Sequence, residues 1–342
     1  MRLREQTQFP AGVVVRFQLE STVLLGNPWE DPTRRELAVY LPHDYRESGP
    51  PFISLWDLAA YTNSGPGHLN WRNQGENLVQ RLDRLIGEKR MPSAVVVIPD
   101  CYTSLGGNQY VNSASVGAYA DYLTRELVPF VNKQLNVVPD RAGRGVFGKS
   151  SGGYGALYHA IKYPDCWGAA ASLAGDVGFE WVYRPEFPTA CGVLAQFDGN
   201  AHQFIQAFWR KNRPDSRDFS TMMVLAMAAS YDPDPDNPEN IRLPVDLRTC
   251  NLDSQRWANW LAFDPLNLVE PGRAALQSLR KLIIEVGMND QYNIQYGSRQ
   301  LTDRLKSLGI EHEYEEFVGS HSSIDWRLDH VLPRLAEALV QT

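Results

Sequence analysis

Cysteine is scarce in this chain of 342 residues, with four in all: Cys101, Cys166, Cys191 and Cys250. None forms a Cys-x-x-Cys pair, so the spacings that mark zinc ribbons and thioredoxin-type redox sites are missing. Excess positive charge is missing too: 33 Lys and Arg stand against 40 Asp and Glu, a formal net charge of −7. A surface built to hold nucleic acid or anionic lipid needs the opposite balance, so neither nucleic acid nor membrane is an expected partner. No stretch approaches the roughly 18 apolar residues of a membrane-spanning helix. The opening Met1–Phe17 segment brings its charges early and has neither a long apolar core nor a small-residue cleavage site. It therefore does not read as a secretory leader, and the four thiols are expected to stay reduced. A cytoplasmic protein without cofactor or metal is the resulting expectation.

What is present is ordinary globular composition, 43% hydrophobic and 21% charged, at a length that suits one large domain or two. Apolar runs of strand length alternate with stretches of helical period. Val13–Leu19, Glu36–Leu41, Phe52–Trp56, Ala94–Ile98, Gly145–Phe147, Gly168–Leu173, Leu282–Val286 and Glu313–Val318 read as strands. Helices are expected at Asn77–Ile86, Ser115–Leu135 with Ser115 as N-cap, Ser151–Tyr163, Gln295–Leu308 and Ile324–Leu339. This alternation predicts an α/β protein with a mainly parallel sheet covered by helices on both faces. Residues 175–272 break the rhythm, with no clear buried strand, a proline-rich loop at 231–238 and many aromatics. They are expected to form a cap-like insertion within a single domain spanning 1–342. Its aromatics Trp181, Phe187, Trp209, Trp257 and Trp260 suit an apolar pocket and core packing about equally.

The strongest chemical signal is Gly148-Lys149-Ser150-Ser151-Gly152-Gly153, a G-x-S-x-G sequence directly after a strand and opening a helix. A sharp strand-to-helix turn of this kind lifts the serine hydroxyl above the sheet edge, and the helix N-terminus beneath favours developing negative charge. A second motif overlaps it: Gly143 to Ser150 also satisfies G-x-x-x-x-G-K-[ST], the phosphate-cradling loop of nucleotide-binding proteins. There the strand should precede the first glycine, whereas Val146-Phe147 falls inside the supposed loop. A serine hydroxyl needs a base and an orienting carboxylate. His321 lies in a loop between the last strand and the last helix, where a base can reach over the sheet edge. For the acid, Asp290 follows the strand Leu282–Val286, and Asp176 after the preceding strand is the rival. Asp325 reads as a helix N-terminal charge and nothing more. The backbone N–H of Ser151 is the expected first oxyanion donor, and Leu58, with Ala59 close behind, the second.

Between Glu20 and Leu339, the insertion apart, the chain resembles the esterase branch of the α/β-hydrolase superfamily, which includes S-formylglutathione hydrolase, enterochelin esterase, feruloyl esterases and the antigen 85 mycolyltransferases. The likeness is carried by Leu37–Tyr45 (LAVYLPHDY), Val95–Asp100 (VVVIPD), the extended elbow Gly148–Ala156 (GKSSGGYGA), and the loops Gly287–Asp290 and Gly319–His321. Carried over residue by residue, the resemblance implies Ser150 as nucleophile, Asp290 as orienting acid and His321 as general base. It also implies that Tyr110 and Asn112, in a stretch similar to a pocket-lining one, bind substrate. Many relatives have a His-Gly or Ser-Gly pair after the third strand, where this chain has Trp56-Asp57. A carboxylate so close to an oxyanion is unfavourable unless it is paired or turned away. The implied activity is hydrolysis of a small-molecule carboxylic ester through an acyl-enzyme; acyl transfer to an alcohol would use the same three residues. A nucleotide-binding protein and a non-catalytic hydrolase-like binding protein are the readings from other classes.

Overall fold

The computed structural model describes residues 9–72 and 75–340. The first eight positions, part of the segment that does not read as a leader, lie outside the described residues. Eight strands form one sheet: β1 (Val13–Glu20), β2 (Arg34–Leu41), β3 (Ile53–Leu58), β4 (Ala94–Pro99), β5 (Arg144–Lys149), β6 (Ala169–Leu173), β7 (Lys281–Gly287) and β8 (Glu313–Phe317). Their spatial order is β1-β2-β4-β3-β5-β6-β7-β8. β2 runs antiparallel to both β1 and β4, and from β4 to β8 every pairing is parallel. The five central strands read as continuous apolar runs because helices cover both faces, and β3, β4 and β6 are buried at every position.

On one face lie α1 (Leu78–Gly87) and the C-terminal helix Leu328–Leu339; on the other lies the helix Ser151–Lys162. The start of α1 is set by Asn77, whose side chain accepts from the Gln80 N–H in a reciprocal capping box. The expected long helix at Ser115–Leu135 is corrected. Asn112–Ser113 pairs with Gly117–Ala118 in a small hairpin, and helix begins only at Tyr119. Gly117 has φ +118°, which no helix accommodates, and Asn112 Oδ1 rather than Ser115 receives a helix N–H, that of Asp121 at 3.0 Å. The turn widens over Tyr122–Leu127 before α2 (Val128–Gln134), because Pro129 offers no N–H to the preceding turn.

The helix Ser151–Lys162 is α3. Residues 175–272 hold mostly helix, including α4 (Phe187–Leu194), α5 (Ala201–Arg210), α6 (Ser216–Tyr231) and α7 (Ser254–Leu261); α8 (Ile294–Ser307) and α9 (Leu328–Leu339) follow. Phe187, Trp257 and Trp260 pack on one another with ring centroids 5.6–5.7 Å apart, and all three are buried. Core packing therefore explains these three aromatics. Tyr154 of α3 joins the same cluster through Tyr231 and Phe179. No helix among the described residues is long and apolar enough to cross a membrane.

One buried carboxylate, paired with two arginines, ties the sheet to α9. Glu285 of β7 has a fully buried side chain, bonded by Arg327 Nε at 2.6 Å and by Arg334. Removing one cation leaves the carboxylate short of compensation in a dry site. Arg327→Met is expected to lower unfolding free energy by about 3 kcal/mol, read as a lower urea midpoint at unchanged slope.

Candidate active site

Ser150 stands between β5 and α3 with φ +56° and ψ −125°, a conformation that a residue other than glycine adopts only under strain. Its N–H donates to Leu173 O at 2.9 Å, which fastens the turn to the neighbouring strand. Gly152 makes the turn feasible: an added Cβ would lie 1.8 Å from the Leu58 carbonyl oxygen. β5 runs through Arg144–Lys149, the residues that a phosphate-cradling loop would need free of the sheet. Ser151 opens α3, so its N–H has no acceptor within the helix.

The other two elements arrive from β7 and β8. Ser150 Oγ lies 2.9 Å from His321 Nε2, and His321 Nδ1 lies 2.8 Å from Asp290 Oδ2. With Asp290 ionised, Nδ1 carries the proton and Nε2 accepts from the hydroxyl. Asp290 is 3% exposed, and its second oxygen accepts the Tyr292 N–H at 2.9 Å. The two loops are laced together: Met288 N–H donates to Phe317 O, Asn289 N–H to Gly319 O, and His321 N–H to Gln291 Oε1. The Tyr292 ring packs edge-on against the imidazole at 4.9 Å. The rival acid, Asp176, is occupied elsewhere. Its Oδ2 accepts from Gln109 Nε2 at 2.9 Å and from Tyr183 Oη at 2.7 Å, and burial pushes its carboxyl above the usual range.

Where the second oxyanion donor was expected, Leu58 is the last residue of β3, in register with Gly148, and Ala59 follows just beyond. The Ala59 carbonyl accepts from Tyr110 Oη at 2.6 Å. Tyr110 is thus a buried support behind this turn, and it also packs where a Cβ on Gly155 would sit. Asn112 is exposed and spends its amide on Asp121, at 2.9 and 3.0 Å. Asp57, 3% exposed, is paired with His68 Nδ1. Asp325 does more than sit at a helix start: it bridges Arg72 at 2.6 Å and Lys149 at 3.3 Å. These charges line a cavity of about 80 Å³ next to Gly148. Tyr292, His68 and the Lys149–Asp325 pair carry no local motif, since their neighbours come from distant loops. The shared signal is weak: Asp57, an acid directly before the expected oxyanion turn, calls for a cation somewhere.

The sequence profile of the family described as "Putative esterase" matches residues 32–331. Uncharacterized protein YbbA of Bacillus subtilis (strain 168) is 23% identical over 164 residues, 43% of this chain and 58% of that protein, so the chain spans little more than half of that relative's length. Among solved structures, a ferulic acid esterase superposes with a TM-score of 0.61 at 18% identity, covering 97% of this chain and 100% of that one. The S-formylglutathione hydrolase of Staphylococcus aureus gives 0.58 at 15%, covering 96% and 99%. A ferulic acid esterase of Anaeromyces mucronatus gives 0.60 at 15%, covering 98% and 95%. The strand order, the elbow after β5 and the profile match over most of the length agree, and the chain belongs to this esterase family of the α/β-hydrolase superfamily.

Proposed function

We propose that the protein is a serine esterase that cleaves a carboxylic ester through an acyl-enzyme. The observation that carries this reading is the unbroken hydrogen-bonded chain from Ser150 Oγ through His321 to Asp290, at 2.9 and 2.8 Å. In the proposed reaction His321 Nε2 takes the hydroxyl proton as Oγ attacks the ester carbonyl carbon. Asp290 keeps the imidazole in the tautomer that leaves Nε2 free and offsets the charge it gains. The Ser151 N–H and an N–H of the Leu58–Ala59 turn then face the oxyanion, with the N-terminus of α3 adding its dipole. His321 returns the proton to the departing alcohol, and a water activated at the same nitrogen releases the acid.

The insertion takes a supporting part in this proposal. Its first turns adjoin the acid loop, where Asn293 Nδ2 donates to Trp181 O at 3.5 Å. Trp181 is 48% exposed and Tyr296 46%, with ring centroids 5.9 Å apart, so residues 175–272 would cap the site with an aromatic rim on that side.

Three outcomes test the reading. Ser150→Ala is expected to lower kcat on a p-nitrophenyl acyl ester by roughly 10⁴-fold or more while the thermal melt stays cooperative; unchanged turnover rejects the mechanism. Asp290→Asn should lower kcat by roughly 10³- to 10⁴-fold, because the wrong tautomer is then favoured. A fluorophosphonate probe should add once, on Ser150, as mapped by peptide mass spectrometry.

A further inference from the structure

The carboxylate of Asp57 occupies an awkward place for an enzyme of this kind. It lies in β3 directly before the Leu58–Ala59 turn, and its strand partner Phe147 is three residues from Ser150. In a buried position an uncompensated anion opposes the negative charge that grows on a carbonyl oxygen during acyl transfer. His68 meets it. The imidazole is carried on the short turn Gly65–Leu69, which Ser64 caps by accepting the Gly67 N–H at 3.3 Å. Asp57 and His68 line the cavity of about 80 Å³ that also borders Gly148 and Lys149, the two residues before Ser150. We propose that His68 is a positioning and charge-compensating residue for the oxyanion turn, and that loss of its proton sets the alkaline limit of catalysis. The proposal rests on Ser150 being the nucleophile.

The charges around His68 favour this assignment. Lys149, from the end of β5, and Arg72, from the loop beyond the turn, are both drawn to Asp325 at 3.3 and 2.6 Å. Arg81 of α1 is paired with Asp329, and Glu76 with Arg84. The nearby cations are thus engaged with other acids, leaving Asp57 to the imidazole. Burial pushes the His68 imidazolium toward losing its proton, but the charge and hydrogen bond of Asp57 outweigh that, and Asp325 adds to them against Lys149. The net effect holds His68 above the ordinary imidazole value of 6.5. The sign follows: below its raised value His68 is charged and Asp57 is compensated, and above it the carboxylate stands alone. On that titration the imidazolium N–H proton passes to solvent hydroxide or water, its bonding pair stays on the ring nitrogen, and no bond of the substrate changes.

The test is the pH profile of kcat/KM on p-nitrophenyl acetate, corrected for spontaneous hydrolysis, for four proteins: wild type, Asp57→Asn, His68→Gln and the double variant. Wild type should show an alkaline decline that Asp57→Asn lacks. His68→Gln should be slower at neutral pH by roughly 10- to 100-fold, and the double variant should regain at least about tenfold of that loss. A purely structural pair would move the melting temperature without this rescue of rate. The proposal is overturned if Asp57→Asn keeps the wild-type decline, or if the double variant is no faster than His68→Gln. Should His68→Gln fail to fold, the Asp57→Asn profile and the NMR titration of the His68 ring in the resting wild-type enzyme decide the matter; a ring titrating below 6.5 overturns the proposal. Absence of fluorophosphonate labelling at Ser150 would instead reject the esterase reading, an outcome distinct from a missing alkaline decline in a labelled enzyme.

Discussion

The closest constraint in the molecule is the approach of the α3 backbone to the end of β3, where Gly152 leaves no room for a side chain beside the Leu58 carbonyl. That approach forces the chain to turn abruptly at Ser150, at φ +56°, and it sets the first N–H groups of α3 beside the Leu58–Ala59 turn. The candidate nucleophile and the proposed oxyanion donors are therefore placed by one backbone packing event rather than by side-chain contacts. Strain at Ser150 is held by the Leu173 carbonyl on one side and by α3 on the other. Support extends outward: Gln109 and Tyr110 also adopt positive φ, 54° and 58°, and from there Tyr110 holds the Ala59 carbonyl while Gln109 holds Asp176.

Because β3, β5, β6, β7 and β8 run parallel, all end at one edge, and the loops leaving them meet there. Four buried carboxylates stand on these strands or at their ends: Asp57, Asp176, Glu285 and Asp290. Each has its own partner type. Glu285 has two arginines, Asp57 a histidine, Asp290 a histidine and a backbone N–H, and Asp176 neutral donors. Burial makes Asp176 hold its proton more tightly than usual, and the neutral donors Tyr183 and Gln109 offset that only in part. Position after a strand does not distinguish Asp176 from Asp290; the direction in which each loop presents its carboxyl does.

Much was legible in the chain itself. All eight sheet strands were recognisable to within about two residues at most ends, because strands buried on both faces must be apolar runs and the intervening helices must show a 3.6-residue stripe. The glycines of the elbow, the serine and the two loops after β7 and β8 were legible for the same kind of reason: each answers a local backbone requirement. The misread helix at Ser115–Leu135 shows the limit. Its apolar stripe continues through Val116, yet Gly117 turns back into a hairpin whose benefit, the tie between Asn112 and Asp121, lies outside the helix period.

Contacts between distant segments were beyond local pattern. That Asp57 faces His68, that Asp325 spans Arg72 and Lys149, and that Phe187, Trp257 and Trp260 pack together within residues 175–272 depend on which loops fold over which strand ends. The sequence by itself determined the order of the eight strands along the chain, the strained serine turn and the candidate base loop, and it narrowed the candidate acid to Asp290 and Asp176, since backbone geometry and burial demand particular residue types at those positions. Only the tertiary structure decided which carboxylate meets which cation. Electrostatic partners are chosen by distance in space, and no periodicity along the chain encodes that distance.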